Sequence, residues 1–344
     1  MKRTLFTLIV MAALLLLPAQ AFAIQPGYSI DQMSTGLYVE TNASVHAIER
    51  QTITFEGESR GLVWQLHTPG EYESVKISSL RVVELGDEGE AVGEWLSLQL
   101  IDSDPDTQGL RPGDGADAAL RGDGVQPWYS YSISDGMVRS YFPAGPGTYL
   151  VEADYTVTNL ANMYRDVGEL YWRYVQSDMP VDVHDATLRI ALPVPAGAEV
   201  IPGATVRAWG HGPSDGMFSI GEDGSVVFHA DLVLAGHYAE AHVLLPSYWL
   251  DNVSLGSPAR HSEARRLDAV SDEADWLDQA ARGSIWDNKV RMLFVPLISL
   301  AALVAIGVAI AFKRTARTRR WFVRVAATLG IVALAEHAFF REPI

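Results

Sequence analysis

The sequence predicts a mostly β protein. It reads as an exported antiparallel β-sandwich region, one large sandwich or two packed ones, followed by a juxtamembrane helix and one C-terminal transmembrane helix. Three observations carry that prediction. Two apolar, charge-free stretches have the makeup of an export signal and of a stop-transfer span. Between them, runs of period two alternate with Gly, Pro, Asp and Asn, and no amphipathic helix appears from 28 to 248. The chain of 344 residues has no cysteine, so the exported part must hold by its core alone.

Residues 1–23 read as a signal peptide. Lys2 and Arg3 precede a charge-free run from 5 to 17, Pro18 breaks it, and Ala21-Phe22-Ala23 places small residues where a signal peptidase cuts. A run of that length is short for a bilayer span.

Residues 24–250 are expected to be the extracytoplasmic β-sandwich region. Tyr149, Val151, Ala153, Tyr155 and Val157 alternate with Leu150, Glu152, Asp154 and Thr156, and Ala186, Leu188, Ile190 and Leu192 repeat the pattern. Val75-Lys76-Ile77 and the runs 95–100, 137–142 and 239–245 are further strand candidates. Glu222-Asp223-Gly224 fits a hairpin turn. Adjacent aromatics, Trp128-Tyr129 and Tyr171-Trp172, must point to opposite faces of any strand they occupy. One of each pair then packs inward, and the other can stack on a sugar ring or fill a partner's pocket.

Residues 251–289 form the juxtamembrane linker. Leu267, Val270, Ala274, Leu277 and Ala281 make a narrow helical stripe, read as the docking face of a spacer helix on the sandwich or the membrane surface. A short self-association seam is the sharper alternative, although two heptads rarely suffice alone. Residues 290–312 form the expected transmembrane helix, charge-free from 292 and long enough for a hydrocarbon core of roughly 30 Å. Lys313, Arg314, Arg317, Arg319 and Arg320 follow at once, which places the basic tail 313–344 in the cytoplasm and the domain outside. Within that tail the charge-free core 325–335 suits an interfacial helix, or a second span if its flanking charges snorkel.

The formal charge of −16 is unevenly spread. Residues 24–312 carry 40 Asp and Glu against 17 Lys and Arg, a surface that disfavours nucleic acid. Asp102-Ser103-Asp104-Pro105-Asp106 begins like a calcium loop, but Thr107 stands where a glycine is needed and Gly113 where a glutamate belongs. No His-Glu-x-x-His, no Gly-x-x-x-x-Gly-Lys and no His-x-His pair occurs. His237 and His242, five apart, would face opposite sides of a strand as ordinary imidazoles. Paired carboxylates cannot be picked out among so many acids. The motifs therefore nominate no catalytic residue, no cofactor-binding residue and no metal ligand.

Tyr28-Ser29-Ile30-Asp31, the alternating run 44–55 and Gly61-Leu62-Val63-Trp64 form one recognisable block. Gly168-Glu169-Leu170-Tyr171-Trp172, then Pro180-Val181-Asp182-Val183 and the run 186–193, form a second. Together they resemble the predicted bacterial membrane proteins grouped as domain-of-unknown-function family 2207. The resemblance implies an exported β-rich domain, a membrane helix and, in longer members, a cytoplasmic region with further spans; it implies no catalytic residue. The expected function is a single-pass, non-enzymatic binding, scaffolding or envelope-assembly module. Its expected partners are the lipid bilayer, through its helix, and an unidentified envelope protein or glycan. The alternatives are an anchored hydrolase of envelope carbohydrate, or the sensing half of a signalling or transport complex.

Overall fold

Alternating side chains become strands wherever one face of the run can be buried. The computed structural model describes residues 27–101, 129–213 and 215–281. The signal 1–23, the acidic loop 102–127 with Trp128, the apolar stretch 290–312 and the tail 313–344 lie outside the described residues. Among the described residues no helix is long and apolar enough to cross a membrane.

In chain order the strands are β1 (Tyr28–Val39), β2 (Val45–Phe55), β3 (Ser59–Gln65), β4 (Ser74–Leu85), β5 (Ala91–Ser97), β6 (Gln99–Leu100), β7 (Ser130–Ser134) and β8 (Met137–Ala144). There follow β9 (Gly147–Thr158), β10 (Asn162–Met163), β11 (Gly168–Val175), β12 (Val183–Ala191), β13 (Arg207–His211), β14 (Met217–Ile220), β15 (Ser225–Val233) and β16 (Ala239–Leu245). A 3₁₀ turn, Ser247–Leu250, ends this series, and a helix, α1, spans residues 266–281. The strands expected from periodicity are present except that the run 95–100 is divided at Leu98 between β5 and β6, and the expected turn at Glu222-Asp223-Gly224 joins β14 to β15, with Gly224 at φ 78°.

Three sheets result: an eight-stranded sheet 1 in the order β14-β15-β12-β1-β2-β9-β4-β5, a sheet 2 of β10-β11-β16-β13, and a sheet 3 of β3-β8-β7-β6. The expectation of purely antiparallel pairing is corrected at two places, β1 with β12 and β6 with β7, which run parallel. A parallel pair needs a long crossover, and the chain between β1 and β12 supplies it by building most of the other strands.

Sheets 2 and 3 lie side by side on one face of sheet 1. Phe55 of β2 meets Phe142 of sheet 3 at 6.4 Å between ring centroids, and Tyr155 of β9 meets Trp172 of sheet 2 at 6.4 Å. Phe55 and Tyr155 share that face because Phe55 pairs with Gly147 and Ala47 with Tyr155, an even offset along both strands. One apolar core runs through all three sheets. On the other face of sheet 1, Glu152 stands in register between Arg50 and Arg81, which donate to it at 2.7 and 2.8 Å. Opposite charges on a cross-strand row stabilise this solvated face modestly.

One backbone contact gives a direct test of the sheet 3 geometry. Gly61 sits at the bulge after Ser59 with φ 138°, and a Cβ there would strike the carbonyl of Ser140. Gly61→Ala is expected to cost about 2 kcal/mol through backbone strain. An unchanged thermal midpoint would show that β3 and β8 do not approach so closely.

Candidate functional site

Sheet 2 alternates in an unusual way. The side chains turned toward the core are small or apolar: Leu170 and Trp172 on β11, Ala241, Val243 and Leu245 on β16, and Ala208 on β13. Those turned the other way are, apart from Leu244, ionisable or aromatic: Glu169, Tyr171 and Arg173; Glu240 and His242; Arg207, Trp209 and His211. The register sets Tyr171, His242 and Trp209 in one row and Arg173, Glu240 and His211 in the next.

The chain after β16 returns over that polar face. Met163 of β10 takes a backbone hydrogen bond to Ala259 and accepts one from His261, so the segment lies along the sheet edge. Its backbone N–H at Arg265 then donates to Asp166 at 2.8 Å, and the first backbone hydrogen bond of α1 runs from Ala269 to Arg265. Ala269 and Glu273 are the buried residues of α1. Ala269 joins Val167 and Leu244 in a small apolar contact, and Val270, Trp209 and Tyr164 pack around it.

Docking on the sandwich is therefore not made by the expected stripe of α1, of which Val270 alone packs against sheet 2. Leu267 is 83% exposed and Leu277 57%, and Ala274 and Ala281 are exposed with them. A leucine stripe seeks an apolar partner, but the face opposite α1 offers imidazoles and carboxylates. The helix consequently presents the carboxylate of Glu273 to that face.

Five residues meet where α1 docks on sheet 2. His242, fully buried at 0% exposure, lies between two carboxylates: its Nδ1 is 2.5 Å from Glu273 Oε1 and its Nε2 is 3.0 Å from Glu169 Oε1. His211 Nε2 approaches the same Glu273 Oε1 at 3.1 Å. Arg265 Nε donates to both oxygens of Glu169 at 3.2 Å, and its Nη1 donates to Asp272 at 2.7 Å. Tyr171 stacks on the His242 ring at 3.9 Å, Trp209 flanks it at 5.2 Å, and Trp276 of α1 sets its edge on His211 at 4.3 Å.

The electrostatics follow from this crowding. Burial pushes the charged form of His242 down, but its hydrogen bonds and charge contacts with Glu169 and Glu273 outweigh that, and its pKa is raised. Burial would raise Glu273, yet hydrogen bonds from His211 and His242 bring it down to about 2. Glu169 is lowered for the same reason, burial being outweighed by His242 and Arg265. Tyr171 is raised, first by burial and then by the two glutamates.

His242, read from the sequence as an ordinary imidazole, is buried in this cluster, and so is His211, which the motifs did not single out. His237 lies in the turn before β16, outside the strand, so the expected opposition of His237 and His242 on one strand does not arise. The residues that meet come from β11, β13, β16 and α1, and no local spacing joins them. A usable signal was the alternation itself, since Glu169-Tyr171-Arg173 and Arg207-Trp209-His211 give an ionisable outer face to strands with apolar inner faces. The expectation that no Gly-x-Ser-x-Gly elbow occurs is corrected by Gly212-Pro213-Ser214-Asp215-Gly216, which has that spacing. It connects β13 to β14, and such a nucleophile needs a strand-to-helix turn. Ser214 lies outside the described residues.

Of the aromatic pairs, Trp172 faces the core and Tyr171 the α1 side, as alternation requires, while Tyr129 is half-buried against the core. A shallow open cleft of about 550 Å³ lies between β13 and β14, lined by Arg207, Trp209, Phe218 and Ile220 among others.

The sequence profile of the family described as "Predicted membrane protein (DUF2207) N-terminal domain" matches residues 29–245, and the chain belongs to that family. No curated protein matches the sequence. Among solved structures the chain is similar to an M1 zinc metallopeptidase from Deinococcus radiodurans. The identity is 11% and the TM-score 0.32, over 63% of this chain and 42% of that one. A mutant of an M1 zinc metallopeptidase from the same organism, bound to a Tyr-Ser-Ala substrate, gives 12% identity and a TM-score of 0.33, over 63% and 43%. The chain thus spans less than half the length of those structures, and a likeness at this level carries no argument about activity.

Proposed function

We propose that this member of the DUF2207 family is a membrane-anchored, non-enzymatic extracytoplasmic module for binding, scaffolding or envelope assembly. In this reading the β layers form one large sandwich, and the tether helix moves with them as one body. The observation that carries it is the docking of α1. A plain spacer would be solvated on all sides and would uncouple the domain from the bilayer. Here Arg265 and Glu273 of the helix segment are tied to Glu169, His211 and His242 of the sheet, so the domain's position is passed to the chain at residue 281. The charge-free stretch from 292 and its five following cations supply the anchor and its orientation.

The non-enzymatic reading is supported by the placement of one carboxylate pair among the described residues. Glu169 and Glu273 converge on His242 beneath α1, both buried, where a saccharide has no approach. The partners of such a module are the lipid bilayer and an envelope protein or glycan.

A reporter active only in the cytoplasm is expected to work when fused after Arg320 and to fail after Leu250. The reverse pattern would overturn the orientation. Fusion after Ile344 separates one span, with cytoplasmic activity, from a hairpin, without it. Co-purification from detergent tests the activity class: a stoichiometric envelope protein or glycan supports the module, whereas turnover of envelope polysaccharide by the purified chain refutes it.

A further inference from the structure

We infer that His211, His242 and Glu273 form a divalent transition-metal site of the zinc type, which fastens α1 to sheet 2. The three ligand atoms, one each from β13, β16 and α1, lie within 4.8 Å of one another, and all three residues are buried. Zinc bonds of about 2.0–2.1 Å in a tetrahedral array set neighbouring donors roughly 3.3 Å apart. His211 Nε2 and His242 Nδ1 already stand 3.1 and 2.5 Å from Glu273 Oε1, so small movements admit an ion.

Two further observations point to a ligand. Both imidazoles crowd onto a single oxygen of Glu273, while Glu273 Oε2 is buried with no hydrogen-bond partner. Buried polar atoms without partners are costly, and a cation taken between the two rings and the carboxylate would draw on the idle oxygen. The far side of His242 is also arranged as a metal-binding imidazole requires. Its Nε2 meets Glu169, which Arg265 holds in place, so an ion that displaces the Nδ1 proton now shared with Glu273 finds the ring already oriented. Tyr171, Trp209 and Trp276 pack against the two rings and fix their planes.

Two imidazoles and one carboxylate suit zinc and its neighbours better than calcium or magnesium, which favour oxygen alone. An ion bound here joins two strands to the tether helix, so its binding energy adds to the docking of α1. The site goes beyond the proposed module, because topology and partner capture do not depend on which cation is held.

The test uses the full chain in detergent, stripped with chelator and then titrated with Zn²⁺ alone. The expected result is one tightly held zinc per chain and a thermal midpoint that rises with zinc. His211→Gln is expected to weaken zinc binding more than about 100-fold, and Glu169→Gln about 10–100-fold with the stoichiometry kept. Other imidazole–carboxylate pairs, His67 with Glu73 and His46 with Asp154, remain intact in these variants. Zinc that still binds tightly to His211→Gln would therefore belong elsewhere and overturn the site. The unmodified chain gives a second readout that needs no variant. Co²⁺ in this site should show the intense visible bands of a tetrahedral ion and be displaced by zinc. Weak six-coordinate bands, or no zinc-dependent midpoint shift, would equally overturn it.

Discussion

Trp172→Ala is expected to cost about 3–5 kcal/mol of stability, and Tyr171→Ala, one residue away, only about 1 kcal/mol. Trp172 is 1% exposed and faces the core, with its ring stacked on His67 at 4.8 Å and against Tyr155 at 6.4 Å. Deleting it opens a cavity where sheets 1 and 2 meet, which rigid flanking strands cannot close. Tyr171 is 39% exposed on the opposite face, and its ring covers His242. Its loss thins the lid over the buried imidazole and leaves the core intact. The comparison is made by thermal or denaturant midpoints of the two variants. Equal midpoints would mean that the two side chains do not alternate across β11. Trp172→Phe should recover part of the loss, because the indole N–H of Trp172 has no hydrogen-bond partner to forfeit.

The strands were legible in the sequence because their signal is local. Tyr149 to Val157 alternates against a buried face, and β9 forms there; Glu222-Asp223-Gly224 carries its own turn chemistry, and the hairpin forms there. The partners of each strand were not legible, since nothing near Leu37 announces that Ile190 will pair with it in parallel. The helix at 266–281 was legible as a helix but not in its orientation. Its most regular apolar stripe, through Leu267 and Leu277, faces away from the sheet. Which side a helix buries depends on the surface it meets, and that surface is assembled from Glu169, His211 and His242 only once sheet 2 has formed. The same reason hid the cluster: its members gain meaning from being adjacent in space.

Glu49→Gln is expected to stabilise the protein by about 3 kcal/mol at pH 8 and to leave it nearly unchanged at pH 4.5. Glu49 lies on the core side of β2, buried, and accepts hydrogen bonds from Gln51 Nε2 at 2.7 Å, Trp64 Nε1 at 3.0 Å and Tyr155 Oη at 3.5 Å. Burial raises its pKa from the ordinary 4.5 to about 7, against the lowering effect of those three donors. Between these two values the folded chain keeps a proton that the unfolded chain has released. Stability therefore falls as pH rises through that window, and the full loss is present above pH 7. Glutamine keeps an acceptor oxygen for the donors and removes the ionisation, so the loss disappears. Other acids act with the opposite sign: Glu73, Glu169 and Glu273 are lowered, so their contribution to folding is fully present above their unfolded values and is lost as pH falls toward their folded ones. For that reason the informative quantity is the difference between wild type and Glu49→Gln at each pH, measured by denaturant unfolding. A gap that widens from pH 5 to pH 8 in favour of glutamine is the expected outcome. A gap that stays constant would place Glu49 in contact with water, and a gap favouring glutamate would mean that its three donors outweigh its burial.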